Sequence, residues 1–242
     1  MTLISIITIN YNNADGLRIT LASVRSQSFS DYEHIIVDGG SSDGSKEVIQ
    51  ESLNDVDYSK HVSWWCSEKD SGIYNAMNKG LHKASGQFVY ILNSGDSLLP
   101  DALEKVSVYL RENQDSVVYG PVDTYLDGKF KQTTGIGADH LPEGMIPHQG
   151  VFVPLKFHSQ YGNYDEKLKI CADREFMLRL YNNKVPFIHM PVVVSNYDLG
   201  GLSETKAWTF LKETYKLDKT VGRKKNRFIR MLKGLAKKWL SL

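Results

Sequence analysis

The stretch Gln87-Phe88-Val89-Tyr90-Ile91-Leu92-Asn93-Ser94-Gly95-Asp96 passes from a continuous apolar run into a small polar turn that ends in a carboxylate. Residues 88–92 are β-branched and aromatic without alternation, the pattern of a strand covered on both faces of a mostly parallel sheet. Gly95 permits a tight turn, which leaves Asp96 at the carboxyl end of the strand, the edge where open α/β sheets bind ligands. A hard carboxylate there suits a divalent cation that also holds a diphosphate. Asp96 can equally start a turn or cap the helix that begins near Pro100.

Three similar units precede this one. Leu3–Ile9 is a buried-strand run closed by Asn10-Tyr11-Asn12-Asn13, and Asn13 or Asp15 can cap a helix reaching about Ser26. His34–Asp38 is a second strand ending in a carboxylate, followed by Gly39-Gly40-Ser41-Ser42-Asp43-Gly44 and a helix carrying Val48, Ile49 and Leu53. Val62–Cys66 is a third strand, followed by the loop through Asp70 and a helix over Tyr74–Lys83. Strands alternating with helices across short loops predict βαβ units and a parallel sheet. Polar groups from Thr8 and Asn10, Asp38, the Asp70 loop and Asp96 converge on one sheet edge, a pattern suited to a nucleotide. The loop after Asp38 lacks G-x-G-x-x-G spacing and follows the second strand, so it is not a dinucleotide fingerprint.

Beyond Asp115 the character changes. Val117–Val122 and Lys129–Thr133 predict paired strands around the Asp127-Gly128 hairpin signal. Residues 135–147 read as a mobile Gly- and Pro-rich loop. A short strand is expected at Val151–Val153, a helix at Asp173–Tyr181, a strand at Pro191–Tyr197, and a last helix from Ser203 to about Lys219. The economical organisation is one domain over 1–219, with a nucleotide-binding half (1–112) and an acceptor half (113–219) sharing a sheet. A basic segment over 220–242 follows it.

The chain has 242 residues and a formal net charge of +1, which describes an ordinary soluble α/β protein rather than a nucleic-acid binder. Cys66 and Cys171 stand far apart without metal-ligand spacing, and fit core filling in a reducing compartment. The N-terminus lacks a basic n-region, and no run approaches the roughly 18 apolar residues of a membrane span. A cytoplasmic location is expected, with contact to the inner face of the membrane allowed.

Five blocks together resemble family 2 glycosyltransferases of the GT-A fold. They are Thr8–Asn12, Ile36–Gly44, Asp70–Gly80, Leu92–Asp96, and His148-Gln149 with Ala172-Asp173-Arg174-Glu175. The likeness spans roughly residues 3–205 and is closest in flavour to short bacterial transferases of exopolysaccharide and colanic-acid-type clusters. It implies inverting transfer of a sugar from a nucleotide diphosphate, UDP by default, to a hydroxyl of a glycan or polyprenyl-linked acceptor, with Mn²⁺ or Mg²⁺. Carried over, Asp38 would hold the base with Thr8, Asn10 and Tyr11 around it, and Gly39, Ser41, Asp70, Asn78, Lys79 and Ser94 would complete the nucleotide site. Asp96 would bind the metal as the last Asp of the Asp-X-Asp motif, whose first Asp is replaced by Ser94. Asp173 would be the general base, with Ala172 where the family has Glu. His148, Gln149, Gly201 and Ser203 would serve the diphosphate or the acceptor. These two replacements leave open an alternative from another class, a non-catalytic sugar-nucleotide-binding subunit of a synthase complex.

After Asp218 the chain carries no acidic residue, while Arg223, Lys224, Lys225, Arg227, Arg230, Lys233, Lys237 and Lys238 accompany apolar residues at helical spacing. A basic amphipathic helix of this kind can lie on an anionic membrane surface or dock on protein, and a homo-oligomer is compatible with it.

Overall fold

A computed structural model describes residues 2–126, 128–135, 137–199 and 206–220. The first half follows the expected alternation: β1 (Ile4–Asn10), α1 (Ala14–Arg25), β2 (Tyr32–Asp38), α2 (Ser45–Ser52), the short α3 (Val56–Ser59), β3 (Val62–Ser67), α4 (Ile73–Leu81) and β4 (Phe88–Ile91). A two-stranded-bridge segment β5 (Ser97–Leu98) and α5 (Ala102–Glu112) follow. Asn13 caps α1 by accepting from the Gly16 amide at 3.2 Å.

The second half supplies β6 (Val117–Tyr119), β7 (Val122–Leu126), β8 (Lys129–Thr134), β9 (Val151–Pro154), α6 (Leu155–Tyr161), α7 (Ala172–Asn182), β10 (Phe187–His189), β11 (Ser195–Asp198) and α8 (Ala207–Thr220). Seven strands form the main sheet in the order β10-β6-β9-β4-β1-β2-β3. All neighbours in it are parallel except β9, which runs antiparallel to both β4 and β6. The remaining strands form a smaller sheet, β5-β11-β7-β8. The architecture is α/β, a mixed and mostly parallel sheet flanked by helices.

Period-two alternation sorts the buried strands between two layers. Ile7, Ile9, Ile35 and Val37 pack with Met77 of α4 and Phe176 of α7. Ile4, Ile6, Phe88 and Tyr90 pack on the opposite face with Val106 and Leu110 of α5 and Phe152 of β9.

Two expectations are corrected. The run 117–122 is not one strand: Gly120 and Pro121 break it, β6 entering the main sheet and β7 the small one. Proline brings no N–H to a ladder, and here its carbonyl accepts from Val194 at 3.0 Å, where the chain changes sheet. Residues 135–147 are not a free loop either. Leu141 and Ile146 are fully buried, and the Gly144 carbonyl accepts from Arg174 Nε at 3.4 Å. The expected basic helix at 220–242, and Gly201 and Ser203, lie outside the described residues apart from the end of α8.

Candidate active site

The carboxyl ends of β1 and β2 meet through Asp38. Its two oxygens accept from Asn10 Nδ2 (2.7 Å), the Ser41 amide (3.0 Å), Ser41 Oγ (2.5 Å) and Ser67 Oγ (2.6 Å). Burial works against ionisation of Asp38, but the bonds from Ser41, Ser67 and Asn10 outweigh it and hold the carboxyl below its usual range. Asp38 therefore ties three strand ends together. Gly39 lets the Asp70 loop close over it: a Cβ there would stand 2.6 Å from Asp70 Oδ2 and 3.1 Å from the Tyr11 ring. Tyr11 is two-thirds exposed (66%), so this corner carries a free aromatic face. Lys79 Nζ reaches the same loop, donating to Glu68 (2.8 Å) and to the Lys69 carbonyl (3.3 Å).

The turn after β4 joins this edge from the other side. Gly95 has φ +101, and its amide donates to Thr20 Oγ1 at 3.0 Å, whose own hydroxyl donates to the Asp96 carbonyl at 2.7 Å. Ser94 is held by Asn13 Nδ2, which donates to its carbonyl at 3.1 Å. Asp96 is buried, and Gln149 Nε2 donates to its Oδ2 at 3.2 Å. Burial pushes the Asp96 carboxyl up to about 7, against the pull of His148 and Gln149, and the charge of Asp198 pushes it the same way as burial.

His148 connects this turn to α7. Asn93 Nδ2 stands 2.9 Å from His148 Nε2, and His148 Nδ1 stands 3.5 Å from Asp173 Oδ2. The imidazole thus bridges the turn after β4 and the start of α7. Asp173 lies in the first turn of α7 and also accepts from Tyr74 Oη at 3.1 Å and the Arg174 amide at 2.8 Å. The Tyr74 hydroxyl is kept protonated, first by burial and then by the Asp173 charge. Adjacent residues thus reach two carboxylates, His148 touching Asp173 and Gln149 touching Asp96.

Two of the expected nucleotide residues point elsewhere. Thr8 is fully buried and its Oγ1 pairs with His34 Nε2 at 2.9 Å, with Tyr58 Oη 2.6 Å from the other ring nitrogen. Mid-strand side chains face a sheet layer, so Thr8 belongs to the interior rather than to the edge. Asn78 spends its amide on the 164–166 segment, donating to the Tyr164 carbonyl (3.0 Å) and Glu166 (2.8 Å) and accepting from the Tyr164 amide (3.1 Å). Asn93, Tyr74 and Ser67 were not singled out by sequence; a strand-end position marks Asn93 and Ser67, and the Asp70–Gly80 block contains Tyr74. Glu213 of α8 accepts from the amides of Lys169 (2.7 Å), Ile170 and Cys171 (both 3.0 Å), fixing the turn that leads into α7. Nothing in the sequence marks it.

The residues present fit a sparse metal site. Asp96 is a buried carboxylate near a second one, Asp198, and among the described residues no group of three His, Cys, Asp or Glu is arranged to hold an ion. A hard cation would then take one protein oxygen and draw its remaining ligands from a diphosphate and water.

A family model described as "Glycosyl transferase family 2" matches residues 5–183. A "PGL/p-HBAD biosynthesis glycosyltransferase" of Mycobacterium bovis (strain BCG / Pasteur 1173P2) is 31% identical over 206 residues, covering 83% of this chain and 79% of its own. The "Putative teichuronic acid biosynthesis glycosyltransferase TuaG" of Bacillus subtilis (strain 168) is 38% identical over 110 residues, 46% of this chain and 42% of its own. Among solved structures, S. aureus TarS 1–349 in complex with UDP-GlcNAc superposes with a TM-score of 0.68 at 16% identity, over 82% of this chain and 59% of that one. The mannosyltransferase PcManGT from Pyrobaculum calidifontis, in complex with GDP-Man and Mn²⁺, gives 0.69 at 14% identity, over 93% and 65%. The chain thus spans less than two thirds of either solved structure, and the likeness to them is one of fold.

Proposed function

The chain belongs to glycosyl transferase family 2, and from that premise we propose that it inverts the anomeric centre of a nucleotide-diphosphate sugar, UDP-linked by preference, while transferring it to a hydroxyl of a glycan or lipid-linked acceptor in cell-surface polysaccharide synthesis. One observation carries the reading. The adjacent residues His148 and Gln149 reach Asp173 and Asp96, so a proton-accepting carboxylate and a cation-binding carboxylate flank a single dipeptide.

The acceptor oxygen attacks the anomeric carbon from the face opposite the diphosphate, the bond from that carbon to the diphosphate oxygen breaks, and the hydroxyl proton passes to Asp173. His148 and Tyr74 orient the carboxylate for that transfer. Asp173 lies in the first turn of α7, and the proton moves late, once the new bond is largely formed. Asp96, with Asp198 nearby, would hold Mn²⁺ or Mg²⁺, which neutralises charge on the departing diphosphate when bound. Tyr11, Gly39, Asp70 and Lys79 line the nucleotide corner, with Asp38, Asn10 and Ser41 shaping it and Ser94 supporting the turn. Residues 1–219 act as one domain in this reading, with a cytoplasmic location and the 220–242 segment facing an anionic membrane.

The first test is calorimetric titration of UDP, GDP and dTDP with and without Mn²⁺, on the wild type and Asp96→Ala, followed by transfer assays with the sugar nucleotide that binds. Metal-dependent binding of one nucleotide, lost in the variant, with turnover on a glycan or lipid acceptor, is the expected result. Metal-independent binding without transfer to any acceptor would leave a binding subunit instead.

A further inference from the structure

Helix α8 is divided by charge. Both of its acids turn inward: Glu213 accepts the three amides before α7, and Asp218 Oδ1 accepts from Arg174 at 2.8 Å. Its exposed positions are Trp208, Lys212 and Lys216, spaced four apart and so on one face, with exposed Lys206 just ahead of the helix. Trp208 is 69% exposed, among the largest apolar exposures of the described residues. The ion pairs of the described residues include none from these lysines. A soluble domain gains nothing from an exposed indole in a row of lysines, whereas an indole at headgroup depth flanked by cations suits a lipid–water boundary.

We propose that the outer face of α8 docks on an anionic lipid surface, Trp208 entering the headgroup layer while Lys212 and Lys216 meet the phosphates. Charge selects this occupant over two others. A second copy would set lysine face against lysine face, and the chain beyond Asp218, which carries basic residues and no acids, would repel the same row. The docking stands independently of the transfer chemistry and is read by binding alone.

The experiment is co-sedimentation of the full chain with phosphatidylcholine vesicles, pure or containing phosphatidylglycerol, for the wild type, Lys212→Gln/Lys216→Gln and Trp208→Ala. Binding is expected only with phosphatidylglycerol. Two lysines at about 1 kcal/mol each make the double variant about thirty-fold weaker, and Trp208→Ala also weakens binding. All three positions are exposed, so thermal unfolding should match the wild type and separate lost docking from lost fold. Equal binding by all three proteins overturns the proposal, because another part of the chain then carries the membrane contact. Tight binding of poly(U) that Trp208→Ala leaves unchanged overturns it too, because the face is then a general polyanion site. So does a dimer on gel filtration that the lysine variant dissociates.

Discussion

The imidazole of His148 stands between Asn93 and Asp173, 2.9 Å from the amide nitrogen of one and 3.5 Å from the carboxylate of the other. Asn93 follows β4 and Asp173 lies in the first turn of α7, so a single ring links a strand end to a helix start. Removing the proposed proton acceptor should therefore separate chemistry from binding. Asp173→Asn is expected to lower kcat by on the order of 10²–10⁴-fold while donor affinity changes little, measured by steady-state kinetics beside calorimetry. An equal loss of donor affinity would place Asp173 in the donor site instead.

His148 itself supplies orientation rather than a proton sink. His148→Gln should lower kcat by about tenfold, the order of one polar contact to a charged group, and leave donor KM near the wild-type value. A loss as large as that of Asp173→Asn would make the ring a direct participant.

Burial pushes Asp96 up to about 7, so between the ordinary carboxylate value and about 7 the folded protein holds a proton that the unfolded chain has released. Stability from this group falls as pH rises through that window and stays low above it. In metal-free buffer at pH 8, Asp96→Asn should raise stability by a few kcal/mol, with the gain vanishing near pH 4. Urea denaturation at the two pH values reads the difference, and destabilisation by the variant at pH 8 would contradict it.

His158 is buried and stacked on Phe176 with ring centres 4.5 Å apart, and neither ring nitrogen has a hydrogen-bond partner among the described residues. Burial, with Arg179 nearby, holds its pKa down to about 3. The unfolded chain takes up this proton below about 6.5 while the folded one does not, so the stability contribution is intact above that value and is lost as pH falls toward 3. His158→Phe should keep the stack, stabilise the protein by about 1–3 kcal/mol at pH 7, and flatten part of the acid limb of its stability curve. A less stable variant with an unchanged acid limb would assign the ring a polar partner.

Glu213 is the sole described acceptor for three successive amides ahead of the helix that bears Asp173. Glu213→Ala leaves those donors without their acceptor, the Cys171 amide in a buried position, and should cost about 1–3 kcal/mol, while Glu213→Gln recovers part of it. The same variants should lower kcat more than donor affinity, since the turn they loosen leads into the helix that bears the proposed base.

The first half was readable because strands covered on both faces leave unbroken apolar runs, and each run here ends in a turn whose polar residues gather at one sheet edge. The edge residues Asn10, Asp38, Asp70 and Asp96 could be gathered from that alone. Thr8 and Asn78 show where such reading stops. Belonging to a recurring block says nothing of which layer a side chain faces, and both serve interior contacts. The second half was harder, because its strands are three to six residues long and two sheets share them. A single Gly120-Pro121 step sends neighbouring strands to different sheets, and apolar periodicity carries no mark of that exchange. Glu213, a helical acid amid lysines, looks like an ordinary solvent-facing residue until the backbone of 169–171 is placed against it.

The insertion of β9 between β4 and β6 has a consequence for the order in which the protein is made. A ribosome that has delivered residues up to about 150 has released β6 but not the strand that links it to β4. Until β9 emerges, the β4 edge presents unpaired amides and carbonyls beside an apolar surface, the condition that invites wrong pairings. His148 and Gln149 precede β9 directly, so the same late arrival that seals this edge delivers the dipeptide that joins the two carboxylates. During translation, the edge of the sheet is sealed before α7 brings Asp173 to its place beside the dipeptide.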